Sequence, residues 1–237
     1  MTTPPKMQAV EQIPLDLAGR TAHGREDFLI GPGNKSAVDW IDRWPDWPAP
    51  FLILSGPAAS GKTHLAAVWE EQTGAMPIRP DRLLSDTAEH IAHAGQHLVL
   101  DGVDPWLGER TAETALFHLY NILKEEKRTA LVTMRMNPSA AAFEIADLAS
   151  RMRAAPLAAI APPDDTLLAS VLIKLFSDRQ LAVSNDAIRY TLPRMERSFA
   201  AARDIVIRAD RLALAQKRGI SVPLMRDVLA AMQTEPL

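Results

Sequence analysis

Residues 51 to 65 read Phe51-Leu52-Ile53-Leu54-Ser55-Gly56-Pro57-Ala58-Ala59-Ser60-Gly61-Lys62-Thr63-His64-Leu65. The apolar run at the start predicts a buried β-strand, and an apolar helical pattern begins at Leu65. Between the two, Gly56-x-x-x-x-Gly61-Lys62-Thr63 is the P-loop motif in the strand–loop–helix setting that it requires. Its glycines let backbone N–H groups converge at a helix N-terminus, where the helix dipole favours phosphate. The stretch therefore predicts a nucleotide site, and the residues expected to bind the nucleotide are Gly56, Ala58, Ala59, Ser60, Gly61, Lys62, Thr63 and His64.

A hydrophobic strand that ends in Asp101 lies downstream of this loop and has the pattern of a Walker B segment. We expect Lys62 to reach the β-phosphate and any γ-phosphate, and the Thr63 hydroxyl and the Asp101 carboxylate to hold Mg²⁺. Hydrolytic P-loop proteins of this class commonly carry a second acid beside the first, which orients the attacking water. Here Gly102 follows, and the next acid is Asp104. The sequence therefore predicts tight binding of ADP or ATP with little intrinsic turnover.

The composition is that of an ordinary soluble globular protein, with 237 residues of which 47% are hydrophobic and 23% charged. The absence of cysteine excludes a disulfide framework and a cysteine-based zinc site, and it suits the cytoplasm. No apolar run is long enough for a transmembrane helix, and the N-terminus lacks the pattern of a signal peptide. The formal net charge of −3 predicts no global attraction to DNA. We therefore expect a cytoplasmic protein that contacts DNA only indirectly and has no membrane partner.

The pattern along the chain predicts three segments: a flexible tail over residues 1–27, an α/β domain over 28–161 and a helical domain over 162–237. Strands are predicted at 51–54, 75–78, 97–100, 130–133 and 157–160, and helices at 36–44, 81–93 and 112–127. Pro162-Pro163 breaks the chain, and only helical patterns follow, at 166–180, 184–192, 197–217 and 222–232. The predicted fold class is thus α/β, a three-layer P-loop domain with a parallel sheet, followed by a small all-helical lid.

The tail contains Gln12-Ile13-Pro14-Leu15-Asp16-Leu17, in which a glutamine precedes two apolar anchors. An extended peptide of this kind can lie in a pocket on a partner protein. It resembles the Q-x-x-L-x-L peptide by which bacterial replication proteins bind the sliding clamp. We expect Gln12, Leu15 and Leu17 to make this contact, and a chance match or a local packing role is the alternative.

Two arginines occupy positions where they can act on phosphate. Arg135 follows the strand predicted at 130–133, where an oligomerising ATPase carries a sensor of the terminal phosphate; an ordinary loop arginine is the alternative. Arg151 lies in Ser150-Arg151, near a helix end. An arginine stabilises the transition-state charge of a phosphoryl group, either in its own subunit or in a neighbour. A helix-end arginine need not do so, and the residues alone leave both interpretations of Arg151 open.

Taken together, these segments resemble the DnaA-type AAA+ proteins over nearly the whole chain. The resemblance implies that Ile30 and Gly31 contact the nucleotide and that Arg151 is the arginine finger, an arginine that reaches a neighbouring subunit's nucleotide. It also implies an acidic first sensor where this chain has Arg135. The lid sensor falls on Ala200, which leaves Arg203, nearly one turn further on, as its candidate replacement. The segments that carry the resemblance are Phe28-Leu29-Ile30-Gly31-x-x-Asn34, Gly56–Leu65, Leu98–Asp101, Ser150-Arg151, Ala161-Pro162-Pro163 and Ile220-Ser221-Val222-Pro223.

A clamp-like peptide at the start and an end directly after the lid make the chain similar to the Hda-type regulators of this family. The resemblance implies a regulator that, bound to ADP and to the DNA-loaded sliding clamp, stimulates ATP hydrolysis by the initiator DnaA and so prevents re-initiation. It implies the clamp and DnaA as partners, and self-association remains open. One alternative is a motor ATPase of the helicase-loader kind, against which Gly102 and the net charge of −3 both count. A small-molecule kinase on a P-loop fold is the other alternative.

Overall fold

The structure is a computed structural model that describes residues 29–234. The predicted tail, with Gln12, Leu15 and Leu17, lies outside the described residues, and its role stays a prediction. No helix within residues 29–234 is long and apolar enough to cross a membrane.

The described chain contains five strands and ten α-helices. The strands are β1 (Phe51–Ser55), β2 (Met76–Ile78), β3 (His97–Leu100), β4 (Thr129–Met134) and β5 (Leu157–Ala159). The helices of the first part are α1 (Lys35–Asp42), α2 (Lys62–Thr73), α3 (Arg82–Ser85), α4 (Ala88–Ala92), α5 (Arg110–Glu125) and α6 (Ala146–Ala154). The helices of the second part are α7 (Asp165–Asp178), α8 (Asn185–Thr191), α9 (Phe199–Gln216) and α10 (Val222–Thr234).

The five strands form one parallel sheet in the order β2-β3-β4-β1-β5. Side chains alternate between its faces, because successive residues of a strand point to opposite sides. Phe51 and Ile53 of β1 lie in the apolar core that includes residues of α3 to α6, whereas Leu52 and Leu54 lie in the core that includes residues of α1 and α2. The domain is therefore a three-layer α/β structure, which confirms the predicted fold class.

Helices α7 to α10 pack around an apolar core of their own, which includes Leu172, Phe176, Ile205 and Leu224. Polar caps fix where two of these helices begin. The Asp164 side chain accepts a hydrogen bond from the Leu167 N–H at the start of α7, and Ser184 accepts one from Ala187 at the start of α8. These helices form the predicted lid.

The prediction of one helix over residues 81–93 is wrong, because the structure has two short helices, α3 and α4, in its place. Asp86 and Thr87 between them have extended backbones, with ψ values of 158° and 152°. The Thr87 hydroxyl accepts a hydrogen bond from the His90 N–H and so caps a new helix. A threonine that competes for backbone hydrogen bonds explains the break, which apolar periodicity does not show.

Candidate functional site

The loop between β1 and α2 has the tight, left-handed geometry of a phosphate-binding nest. Ala59 and Gly61 have positive φ values of 55° and 98°, which turn the backbone back toward the helix. A side chain at Gly56 is impossible, since a Cβ there would lie 2.5 Å from the Ile160 carbonyl oxygen. The Ser60 hydroxyl is buried and, within residues 29–234, has no hydrogen-bond partner. The loop therefore combines the N-terminus of a twelve-residue helix with an unused buried donor, and both fit a bound phosphate.

The ammonium group of Lys62 lies within the curve of this loop. Its Nζ donates hydrogen bonds of 2.7 Å to the carbonyl oxygens of Gly56 and Pro57. Burial lowers the pKa of Lys62, the carboxylates of Asp104 and Asp101 oppose that shift, and the charge of Arg135 adds to it. The ammonium charge of Lys62 thus lies at the phosphate loop, where the carbonyl groups of Gly56 and Pro57 accept its hydrogen bonds.

The two residues predicted to hold Mg²⁺ lie together. The Thr63 hydroxyl donates a hydrogen bond of 2.9 Å to Oδ2 of Asp101. The other carboxylate oxygen of Asp101 accepts a hydrogen bond from the Thr133 hydroxyl, whose oxygen in turn accepts one of 2.8 Å from the Gly102 N–H. A hydroxyl and a carboxylate beside a phosphate loop fit Mg²⁺, which prefers oxygen ligands and retains water. Metal binding by Thr63 and Asp101 stays a prediction.

The sequence predicts Thr133 only as the last residue of a strand. In the structure, its hydroxyl also links β4 to Asp101 and Gly102, the two residues that follow β3. The strand order explains the contact, because β3 and β4 are neighbours. A sequence alone does not show which strand end lies beside Asp101.

Asp104 and Arg135 lie in the loops that follow β3 and β4. The Arg135 N–H donates a hydrogen bond of 2.7 Å to Oδ1 of Asp104, while the Arg135 side chain is exposed. Gly102, which lies between Asp101 and Asp104, has a φ of 81° and open space where a side chain would stand. The sensor role of Arg135 stays a prediction. From the sequence, Asp104 is only the next acid after Gly102, and its contact with the residue that follows β4 is not evident.

The segment predicted to contact the nucleotide, Ile30 and Gly31, lies against the first lid helix. A Cβ at Gly31 would lie 3.2 Å from the Leu167 side chain of α7. The Asn34 amide fixes the turn, since its oxygen accepts a hydrogen bond of 2.8 Å from the Gly31 N–H and its nitrogen donates one to the Leu29 carbonyl. Ile30 is 54% exposed, which is high for an isoleucine. Nucleotide contact by Ile30 and Gly31 stays a prediction.

The lid reaches the phosphate loop through the start of α9. The Phe199 N–H donates a hydrogen bond of 3.3 Å to the Ala59 carbonyl. Ala200 is therefore one residue beyond a direct contact with the loop, and its methyl group cannot bind phosphate. Arg203 lies one turn further along α9 and is exposed. Replacement of the lid sensor by Arg203 stays a prediction.

Arg151 lies on α6, with its side chain against α5. Its guanidinium carbon is 4.4 Å from the ring centroid of Phe117 and 5.7 Å from that of Tyr120, and its Nη1 donates to the Asp147 carbonyl at 3.1 Å. Within residues 29–234, the hydrogen bond and ring contacts of the Arg151 side chain involve only α5 and α6, and none involves the phosphate loop.

A buried carboxylate that the sequence interpretation missed fixes the position of α6. Glu113 of α5 has an exposed fraction of 0%. Its two oxygens accept hydrogen bonds from three backbone N–H groups, those of Gly108, Glu144 and Ile145, and Ile145 is the residue before α6. Glu113 therefore ties the start of α6 to the helix on which Arg151 rests.

Comparison with known sequences finds the initiator DnaA. DnaA of Thermotoga petrophila is 21% identical over 225 residues, which cover 86% of this chain and 51% of that protein. DnaA of Kosmotoga olearia is 21% identical over 230 residues, with 87% of this chain and 51% of that protein covered. The chain thus spans about half the length of these curated relatives. No family model matches it.

Comparison with solved structures gives the architecture. Domain III of the Thermotoga maritima DnaA superposes with a TM-score of 0.75 at 18% identity, covering 88% of this chain and 96% of that one. The fold is that of DnaA domain III. AMPPCP-bound DnaA from Aquifex aeolicus shares the DnaA domain III fold, with a TM-score of 0.70, 17% identity and coverage of 88% and 69%. The Holliday junction branch migration motor RuvB of Thermotoga maritima has a TM-score of 0.65, 15% identity and coverage of 78% and 63%.

Proposed function

We propose that this protein is an AAA+ regulator of chromosome replication that, with the DNA-loaded sliding clamp, stimulates ATP hydrolysis by the initiator DnaA and prevents re-initiation. The observation that carries the proposal is the position of Arg151, which is held on aromatic rings of α5. Among the described residues, its side chain forms no hydrogen bond or ring contact with the chain's own phosphate loop. An arginine so placed is available to a nucleotide on another subunit. The DnaA domain III fold supports DnaA as that partner, because AAA+ domains of the same shape can stack upon one another.

The chain's own site holds ADP or ATP with Mg²⁺. The backbone of residues 56–61 and the Lys62 ammonium bind the phosphates, and Thr63 and Asp101 hold the metal. Bound Mg²⁺ neutralises phosphate charge. Ile30 and Gly31 contact the nucleotide, and Arg203 contacts the phosphates from the lid. The AMPPCP in two of the DnaA structures supports nucleotide binding by this fold.

The protein acts as an activator of a partner ATPase and turns over little ATP itself. Gly102 has no side chain with which to orient water beside Asp101. Arg135, at the end of β4, serves as the first sensor of the terminal phosphate. The nucleotide then acts mainly as a structural ligand, which stabilises the contact between the lid and the phosphate loop.

The tail connects the protein to the sliding clamp through Gln12, Leu15 and Leu17, and DNA is reached only through the clamp. The net charge of −3 agrees with such indirect binding. A role in chromosome replication places the protein in the cytoplasm.

The deciding measurement is the rate of ATP hydrolysis by DnaA, with ATP loaded on DnaA before the other components are added. We expect this protein to raise the rate when clamp is loaded on DNA, and to raise it little with free clamp or without clamp. Replacing Gln12, Leu15 and Leu17 together by alanine removes the clamp-dependent part and leaves ADP affinity unchanged. Stimulation that is independent of the clamp and of these three residues argues against the proposal.

A motor ATPase is the second candidate, favoured by the likeness to RuvB and by the second acid, Asp104, near the phosphate loop. It predicts brisk ATP turnover by the purified protein, abolished by Asp101→Asn. Turnover near background, unaffected by that substitution, excludes the motor.

A further inference from the structure

Thr133 of β4 brings a buried hydroxyl to the carboxylate of Asp101. Its exposed fraction is 0%. The hydroxyl oxygen accepts a hydrogen bond of 2.8 Å from the Gly102 N–H, and the hydroxyl donates one to Oδ1 of Asp101. A threonine hydroxyl carries a single proton. Because the Gly102 N–H can only donate, that proton goes to Asp101, and the direction of both hydrogen bonds is fixed.

The two oxygens of the Asp101 carboxylate therefore differ. Oδ1 lies against the buried hydroxyl of Thr133, whereas Oδ2 lies 2.9 Å from the Thr63 hydroxyl, at the start of α2. Rotation about the Cβ–Cγ bond would turn both oxygens toward an ion beside Thr63. The hydrogen bond from Thr133 opposes that rotation, and a hydrogen bond to a charged carboxylate is a strong one. Asp101 thus offers Oδ2 alone to such an ion.

One available carboxylate oxygen suits Mg²⁺ better than Ca²⁺. Mg²⁺ requires a near-octahedral set of ligands, and at nucleotide sites it combines one or two carboxylates with phosphate oxygens and water. The two oxygens of one carboxylate are too close together to occupy two corners of an octahedron. Ca²⁺ takes roughly six to eight oxygen ligands in a flexible arrangement and accepts both oxygens of a carboxylate. Holding Oδ1 away therefore removes a ligand that only Ca²⁺ would use.

We propose that Thr133 is a positioning residue that, through Asp101, gives the nucleotide site its preference for Mg²⁺ over Ca²⁺. This inference rests on the proposed binding of a nucleotide with a metal held by Thr63 and Asp101. Hydrogen-bond partners of metal ligands commonly change metal affinity about 10- to 100-fold, because they orient the ligand. The position of the Thr133 hydroxyl beside Asp101 gives it that relation to the metal.

Thr133→Val tests the hydroxyl, because valine has nearly the same shape. The link between the strands survives, since the residue 133 carbonyl accepts hydrogen bonds from the Gly102 N–H at 3.2 Å and the Val103 N–H at 3.1 Å. ADP is titrated by calorimetry in EDTA, in excess Mg²⁺ and in excess Ca²⁺. In the wild type we expect Mg²⁺ to raise ADP affinity more than Ca²⁺ does. In Thr133→Val, the gain from Mg²⁺ falls about tenfold, the gain from Ca²⁺ falls less than about threefold, and the affinity in EDTA stays within about twofold.

Two further variants separate positioning from packing. Thr133→Ser restores the hydroxyl and should keep the wild-type preference for Mg²⁺. Thr129→Val makes the same change at the other end of β4, where the hydroxyl contacts His97 and Trp44 instead. It should leave both metal gains unchanged, whatever it costs in the free energy of unfolding. A merely structural role of Thr133 would lower stability without changing the ratio of the two gains.

The proposal is overturned if Thr133→Val keeps the wild-type gains, or if it loses the Mg²⁺ and Ca²⁺ gains equally. The wild type tests it independently of how that variant folds. Equal gains from Mg²⁺ and Ca²⁺ in the wild type overturn the role of Thr133, while nucleotide binding stands. A wild type that binds ADP under none of the three conditions overturns the nucleotide site itself, and with it the proposed function.

Discussion

The guanidinium carbon of Arg151 lies 4.4 Å from the ring centroid of Phe117, across the contact between α6 and α5. Tyr120, one turn further along α5, supports the same guanidinium at 5.7 Å. Glu113, one turn before Phe117 on the same stripe of α5, holds the start of α6. Three residues at helical spacing thus position one arginine. An arginine ordered before its partner arrives loses less conformational entropy when it binds.

Replacing Phe117 by leucine tests this arrangement. Leucine keeps apolar contact but removes the aromatic face, and an exposed cation–π pair contributes about 0.5–1 kcal/mol. We expect Phe117→Leu to lower the clamp-dependent stimulation of DnaA ATP hydrolysis about two- to five-fold, with ADP affinity unchanged. Phe143→Leu is the matched control, because Phe143 lies beneath Arg153, at 5.8 Å, and not beneath Arg151. Equal losses from the two variants would show that general packing, and not the position of Arg151, is affected.

Glu113 predicts a stability effect that needs no partner protein. Glu113→Ala leaves three part-buried backbone N–H groups without their acceptor, and each lost hydrogen bond to the carboxylate costs about 1 kcal/mol or more. We expect a decrease in the free energy of unfolding of at least about 3 kcal/mol, measured by urea denaturation. Glu109→Ala is the control, since Glu109 caps α5 through one hydrogen bond to Ala112, and it is expected to cost about 1 kcal/mol. A smaller effect at Glu113 than at Glu109 contradicts the prediction.

How far the sequence predicted the site depends on whether the contacts are local. The strand, loop and helix around Lys62 were predicted because the P-loop motif lies within fifteen consecutive residues. The contacts of Glu113 with Ile145 and of Asp101 with Thr133 span 32 residues each, and only the packing of the elements brings them together. The break at Thr87 was missed for a different reason. A hydroxyl cap leaves no trace in the apolar periodicity from which helices are predicted.

Lys62→Ala should weaken ADP binding by tenfold or more, because the bound phosphates lose a charged hydrogen-bond donor. Burial lowers the pKa of Lys62, whereas bound phosphate favours its charged form, so nucleotide binding raises that pKa. The affinity of the wild type for ADP is therefore expected to stay level near neutral pH and to fall as the pH rises through the lowered pKa.

Calorimetric titration across the alkaline range measures both effects. Lys62→Ala should bind weakly and lack this pH dependence, while Lys124→Ala, on the exposed side of α5, should behave as the wild type. Unchanged ADP affinity in Lys62→Ala would remove the phosphate site from this loop.

The final prediction concerns the chemical contribution of Arg151 itself. A guanidinium stays charged, can bind two phosphate oxygens at once and stabilises charge that develops in the transition state. A fully engaged arginine finger raises the hydrolysis rate about 10³- to 10⁵-fold. Because the contacts of Arg151 are confined to α5 and α6, Arg151→Ala should leave ADP binding, clamp binding and the free energy of unfolding near their wild-type values. It should nevertheless abolish stimulation of DnaA ATP hydrolysis.

Arg153→Ala, two residues away and against Phe143, should retain most of the stimulation. The measurement is DnaA ATP turnover with DNA-loaded clamp and each variant. Full stimulation by Arg151→Ala, or equal losses from Arg151→Ala and Arg153→Ala, would place the catalytic contact on another residue.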